Sequence, residues 1–195
     1  GEIFSDVPQG GIVWLTFANS AFQDFAINWA AHVYKLGKER HMAIAALDQP
    51  FQQRLLQAEG LPFFAHDHGR TGDLRSSVTE FRRLGALKGA LVLEVLGAER
   101  HVLLSDVDVI WMADPTRVLA GLAAAGADVM SATDCLHVTG DEDKWKVRRN
   151  ATAARVGVNR CAYNPGNADG HAAFNTGVVY FRPSNAAKAF AAAWR

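Results

Sequence analysis

The chain has 195 residues, 49% of them hydrophobic and 21% charged, with twenty basic and twenty acidic side chains that cancel. That length and composition suit one α/β domain with a sizeable core and argue against a disordered chain. Balanced charge removes nucleic acid as the main partner, and no run is long and apolar enough to cross a bilayer.

In chain order, Gly11 to Phe17 (GIVWLTF) predicts a first buried strand, rich in β-formers. Asn19 or Ser20 is placed to cap the next element. Phe22, Phe25, Ala26, Trp29 and Val33 then recur at helical spacing, and Gly37 marks the end of that helix. Met42 to Leu47 predicts a second strand, broken by Asp48-Gln49-Pro50 ahead of a short helix over Phe51 to Ala58. Phe63 to Ala65 is a short strand leading into the polar segment His66 to Asp73. Ser76 to Leu96 has a helical period with an interruption expected near Gly85 to Gly89.

The strand before Asp106 follows, then a helix over Pro115 to Ala124 and a strand over Ala127 to Ala132. Thr133 to Gly170 has mixed charge and no period, and a connection that long is usually functional. Phe174 to Phe181 predicts a last strand and Asn185 to Arg195 a last helix. Strands alternating with helices imply a mostly parallel sheet flanked by helices, in a single domain over residues 1–195. The start at Gly1-Glu2 without Met, and the uncapped end at Arg195, give the expectation of a piece of a longer protein.

The most informative stretch is His101 to Trp111 (HVLLSDVDVIW). Its apolar run reads as a strand buried on both faces, ending in two aspartates spaced i, i+2. On an extended backbone, Asp106 and Asp108 project to the same side. Two adjacent carboxylates repel and lose water, a conflict that a magnesium or manganese ion resolves. Solvated aspartates in a turn are the competing reading; on the DVD triplet alone the two stand level, and the apolar strand before it favours the metal.

In a parallel sheet, Thr16 to Asn19 and Ala45 to Asp48 end on the ligand-binding edge, where a nucleobase and ribose fit. Asp48 is also a natural N-cap for the helix after it, and both roles are compatible. Lys88, in an apolar helix, either reaches a phosphate or snorkels to solvent. Asn175 and Gly177 suit sugar hydroxyls and a close backbone approach, against the simpler reading of a bulge or turn. His66-Asp67-His68 has metal-chelating spacing but no third ligand, while His137 and His171 are secondary candidates. Cys135 and Cys161 are too few for a disulfide framework; one bridge and two free thiols are equally compatible with the sequence. There is no G-x-S-x-G, Walker A or G-x-G-x-x-G motif, which removes the usual support for hydrolase, NTPase and nicotinamide readings.

VLLSDVDVIWMADP is similar to the DxD block of GT-A glycosyltransferases. With FANSAFQDFAINWAAHV, LGALKGALVLEVLGAERHVLLSDVDV, SATDCL and AFNTGVVYFRPS, the chain resembles the nucleotide-diphospho-sugar transferases of glycosyltransferase family 77. That group includes plant arabinosyl- and xylosyltransferases acting on cell-wall polysaccharides and hydroxyproline-rich glycoproteins. The resemblance implies a GT-A fold, a UDP-sugar donor (a pentose, arabinose or xylose), a glycan or glycoprotein acceptor, manganese or magnesium dependence and retention of configuration. By motif position it puts Thr16, Phe17, Ala18, Asn19, Asp48, Lys88, Ser105 and Asp106 at the nucleotide. It puts Asn175, Thr176 and Gly177 at the donor sugar and Asp106 and Asp108 on the metal, with no residue named as a nucleophile. It also implies a Golgi type II membrane protein whose anchor lies outside this chain. The resemblance further implies a section beyond the last helix with an Asp-Gln-type motif, a candidate for a third metal ligand. The rival readings are a non-catalytic nucleotide-sugar-binding module and a metal-dependent phosphohydrolase or nucleotidyltransferase, for which Asp134 is the one obvious extra acid.

Overall fold

A computed structural model describes residues 4–58, 61–66, 72, 78–133 and 174–194. Asp67, His68, Asp134, Cys135, His137, Cys161, His171 and most of the Thr133 to Gly170 segment lie outside the described residues. The chain falls into two compact units, residues 1–130 with 177–195, and residues 131–176.

The elements alternate as the periodicities predict: β1 (Ile12–Ala18), α1 (Gln23–Lys35), β2 (Met42–Ala46), α2 (Gln49–Gln57), β3 (Phe63–Ala65) and α3 (Val78–Gly97). Then come β4 (His101–Ser105), α4 (Thr116–Ala124), β5 (Val129–Thr133), β6 (Phe174–Phe181) and α5 (Asn185–Trp194). The sheet has six strands in the order β3-β2-β1-β4-β6-β5. β1 pairs in parallel with both β2 and β4, and β2 with β3, whereas β6 runs antiparallel to β4.

In the first unit, strand alternation sorts the core into two layers. Val13, Leu15 and Phe17 of β1, with Val102 and Leu104 of β4, pack against Leu87, Leu91, Val95 and Leu96 of α3 and Ala187 and Ala191 of α5. Trp14 and Ala18, with Ile44 and Leu103, face Ala26, Trp29 and Val33 of α1, Phe51 and Leu55 of α2, and Leu119 of α4. Helices therefore cover both faces of the parallel strands, which is why those strands are apolar at nearly every position.

The end of α1 is built as Gly37 predicts. Gly37 takes φ +69°, its N–H donates to Tyr34 O at 2.9 Å, and the Lys38 N–H donates to Val33 O at 3.3 Å. That is a Schellman cap, which needs a residue tolerant of the left-handed region.

The expected interruption near Gly85 to Gly89 does not occur: α3 is one helix from Val78 to Gly97. Leu87, Leu91, Val95 and Leu96 bury a continuous stripe, and that burial outweighs a glycine's cost of about 1 kcal/mol. A Cβ added at Gly85 meets nothing within 4 Å. Gly85→Ala is accordingly expected to raise stability by about 0.5–1 kcal/mol, read as a higher urea midpoint with an unchanged slope.

At the amino end of β4, His101 Nδ1 and the Tyr180 hydroxyl share a hydrogen bond, and Arg182 Nε donates to Asp128 Oδ1 at 2.9 Å. Burial, and secondarily the Arg182 charge, hold the His101 pKa below its usual 6.5. The unfolded chain therefore binds the proton more readily, so stability rises with pH between the folded value and 6.5. His101's contribution is complete above pH 6.5 and is lost as the pH falls from there towards the folded value. His101→Gln is expected to flatten that part of a stability–pH curve; an unchanged slope would remove His101 as its source.

Candidate functional site

Because β1, β2 and β4 run parallel, their carboxyl ends share one edge of the sheet. Among the described residues the buried polar or charged side chains are Thr16, Asn19, Asp48, Lys88 and Ser105. All five belong to the predicted set, and each stands at this edge or reaches it.

Ser105 ends β4 and is held from two sides. Thr16 Oγ1 donates to its carbonyl oxygen at 2.9 Å, and Trp29 Nε1 donates to its hydroxyl at 2.8 Å. The strand stops there. Val109 N–H donates to Asp106 O at 3.2 Å, so Asp106 to Val109 form a turn. The two aspartates therefore do not continue an extended strand, which corrects the expectation drawn from β-spacing: the Asp106 N–H is taken by Gly177 O of β6 at 2.8 Å, and the chain bends away. Asp106 is half-buried and Asp108 exposed.

Lys88 does not snorkel to solvent. It is 5% exposed, its Nζ lies 2.6 Å from Asp106 Oδ1 and 5.7 Å from the centroid of the Phe17 ring. A buried ammonium is tolerated because a carboxylate and an aromatic face replace its water. Thr16, Phe17, Lys88, Ser105, Asp106 and Gly177 are thus joined by direct contacts.

A second group lies at the ends of β1 and β2. Asp48 Oδ1 accepts from Phe51 N–H at 3.0 Å, the N-cap of α2, with Pro50 in the first turn. The same carboxylate accepts from Ser20 N–H at 3.0 Å and from the Ser20 hydroxyl at 2.6 Å. Asp48 thereby ties the β1–α1 turn to the β2–α2 turn. Asn19 precedes the short 3₁₀ turn Ser20–Phe22 without capping it through its side chain; its Nδ2 donates instead to Gly72 O at 2.7 Å. Ala18 is buried, and its carbonyl accepts from Leu47 N–H at 2.9 Å.

Asn175 and Thr176 belong to the second unit, where Asn175 O accepts from Ser131 Oγ at 2.9 Å. His66 sits 4.0 Å from Glu94 of α3. Among the described residues no group of three His, Cys, Asp or Glu converges on one point.

Two supports were not legible as site residues. Trp29 reads from its period as plain core, although an indole N–H on a buried helix face needs an acceptor, and Ser105 supplies it. Farther along the turn, Trp111 packs edge-on to Trp14 at 4.9 Å, and Lys38 pairs with Asp114 at 2.9 Å. Burial opposes the Asp114 charge, but hydrogen bonds from Thr116 and Lys38 outweigh it and hold the carboxyl below its usual range. The segment after the aspartates is therefore fixed to the connection that follows α1, through Lys38, and to β1 of the sheet, through Trp14.

Residues 37–195 match the nucleotide-diphospho-sugar transferase family, and the chain belongs to it. It is 27% identical over its whole length to "Arabinosyltransferase XEG113" of Arabidopsis thaliana. Over 111 residues, 55% of the chain, it is 30% identical to "Beta-arabinofuranosyltransferase RAY1" of the same plant. The chain spans 27% and 20% of the length of those two relatives. Among solved structures, the galactosyltransferase LgtC in complex with donor and acceptor sugar analogs superposes with TM-score 0.51 at 15% identity, over 92% of this chain and 59% of that one. An active-site mutant of LgtC gives 0.52 at 15% identity, over 87% and 57%. The fold is GT-A, as the resemblance implies. No described helix is long and apolar enough to cross a membrane.

Proposed function

We propose that this chain is the donor-binding domain of a glycosyltransferase that moves a pentose, arabinose or xylose, from a UDP-sugar to a glycan or glycoprotein acceptor with retention of configuration. The observation that carries the reading is the concentration of buried polar side chains at one sheet edge. Burying such groups costs free energy unless they are paired, and a protein with no ligand to meet there has apolar alternatives.

In this reading Thr16, Phe17, Ala18, Asn19 and Asp48 line the nucleotide, and Gly177 faces the sugar. Asp106 and Asp108 offer hard oxygen donors, which fit manganese or magnesium, and a diphosphate and water would complete the shell. Bound there, such a cation supplies neutralisation of the departing diphosphate. The chain's own part is orientation. Gly177 O fixes the backbone of Asp106, Lys88 holds its carboxylate, and Trp29 and Thr16 lock Ser105 just before it. A site held by packed elements and satisfied hydrogen bonds needs little reorganisation when charge develops. Golgi residence through an anchor elsewhere in the protein completes the reading.

Titrating UDP into the chain by calorimetry, with and without manganese, tests it. The expected result is manganese-dependent binding weakened at least about 100-fold in Asp108→Asn. Binding that ignores both manganese and the substitution would sink the reading of the aspartates.

A further inference from the structure

Lys88 is the one buried ammonium among the described residues, and it sits on a carboxylate that the proposed function assigns to a metal. Its position is determined from two sides. The Phe17 ring, 5.7 Å away, offers its face to the charge, and Asp106 Oδ1 lies 2.6 Å away. Phe17 is itself buried in β1, and Lys88 stands among the apolar side chains of α3, so the ammonium is confined beside Asp106.

We infer that Lys88 couples cation binding to nucleotide binding: its ammonium occupies Asp106 in the free protein and competes with a lone divalent ion, which is held firmly only when a diphosphate arrives with it. This rests on the proposed reading of Asp106 and Asp108 as a nucleotide–metal site.

The electrostatics give the direction. Asp106 and Asp108 together carry two negative charges, and Lys88 returns one positive charge on the first of them. A divalent ion approaching the pair must share or displace the ammonium contact and meets its repulsion at close range. A diphosphate reverses the balance, because it adds negative charge that both the ion and the ammonium can neutralise. Lys88 then disfavours the ion alone and favours the ion with its nucleotide. By linkage the effect is reciprocal, so the ion strengthens nucleotide binding by the same factor as the nucleotide strengthens the ion. A purely structural ion pair predicts something different. Replacing it with a well-packed apolar side chain would then change stability, often only slightly, and leave the coupling alone.

The test is calorimetric titration of manganese into the chain, with and without saturating UDP, for wild type, Lys88→Met, Lys88→Arg and Asp108→Asn. Thermal melts establish that each variant is folded. Lys88→Met is expected to bind manganese alone about tenfold tighter than wild type, and its gain in manganese affinity on adding UDP is expected to shrink by a similar factor. Lys88→Arg keeps the charge and is expected to preserve the coupling. Should Lys88→Met not fold, Lys88→Gln makes the same comparison with a polar group retained. Manganese affinity no tighter without the ammonium, or an undiminished UDP enhancement, overturns the inference while the Asp108→Asn result still supports the site. Asp108→Asn behaving as wild type, or no manganese binding by any protein with UDP present, overturns the underlying functional reading instead.

Discussion

Trp29→Ala is expected to destabilise the fold by about 3–5 kcal/mol, a large share of the roughly 5–15 kcal/mol that holds a typical domain together. The indole is fully buried between α1 and the sheet, in the cluster with Trp14, Ile44, Phe51 and Leu103. Removing it empties a space that the surrounding strands cannot close, because they are pinned in register on both sides. The loss extends to the site, since Trp29 Nε1 is the donor to the Ser105 hydroxyl. Trp29→Phe separates the two effects: it keeps most of the apolar volume and gives up the hydrogen bond, so a cost of about 1–2 kcal/mol is expected. A double-mutant cycle with Ser105→Ala then reads the bond itself, with a coupling of about 1 kcal/mol. Denaturant midpoints decide the matter, and a cost below about 1 kcal/mol for Trp29→Ala would contradict the packing described.

Asp48→Ala ranks second, with an expected cost of about 2–4 kcal/mol. One carboxylate caps α2 through Phe51 N–H and holds both the N–H and the hydroxyl of Ser20. A lost cap costs about 0.5–2 kcal/mol, and hydrogen bonds to a charged acceptor add about 1.5–3 kcal/mol. Asp48→Asn retains an oxygen and is expected to cost roughly half as much. The pair also weighs the two roles assigned to Asp48. If the carboxylate touches the nucleotide as well, Asp48→Asn weakens UDP binding by more than its effect on stability explains. If it serves only the two turns, the folded variant binds UDP as wild type does.

Much of the fold can be read from the chain because each signal is local. The 3.6-residue period of Phe22, Trp29 and Val33, the apolar runs at Trp14 and Leu103, and Gly37 after α1 each act within a few neighbours. Gly85 misled for the same reason: its cost is local and visible, while the burial of α3 that outweighs it is spread across the sheet and α5. The site was legible as a set of polar residues in apolar surroundings, which is why Thr16, Asn19, Asp48, Lys88 and Ser105 were singled out. Their partners were not. Trp29 reaches Ser105 across 76 residues and Thr16 reaches it across 89, and no periodicity encodes such pairs. The turn at Asp106 has no local signal, because the Asp106 N–H is taken by Gly177, which arrives from a distant strand.

The antiparallel placement of β6 also determines how the chain comes together during synthesis. β4 finds β1 already made, but its other side stays unpaired until Val178 to Phe181 have left the ribosome. Until then a nascent chain exposes the backbone of His101 to Ser105, an apolar strand with no charge to discourage pairing with another chain. Fragments ending at Thr133 are therefore expected to aggregate, whereas chains reaching Phe181 close that edge with their own last strand.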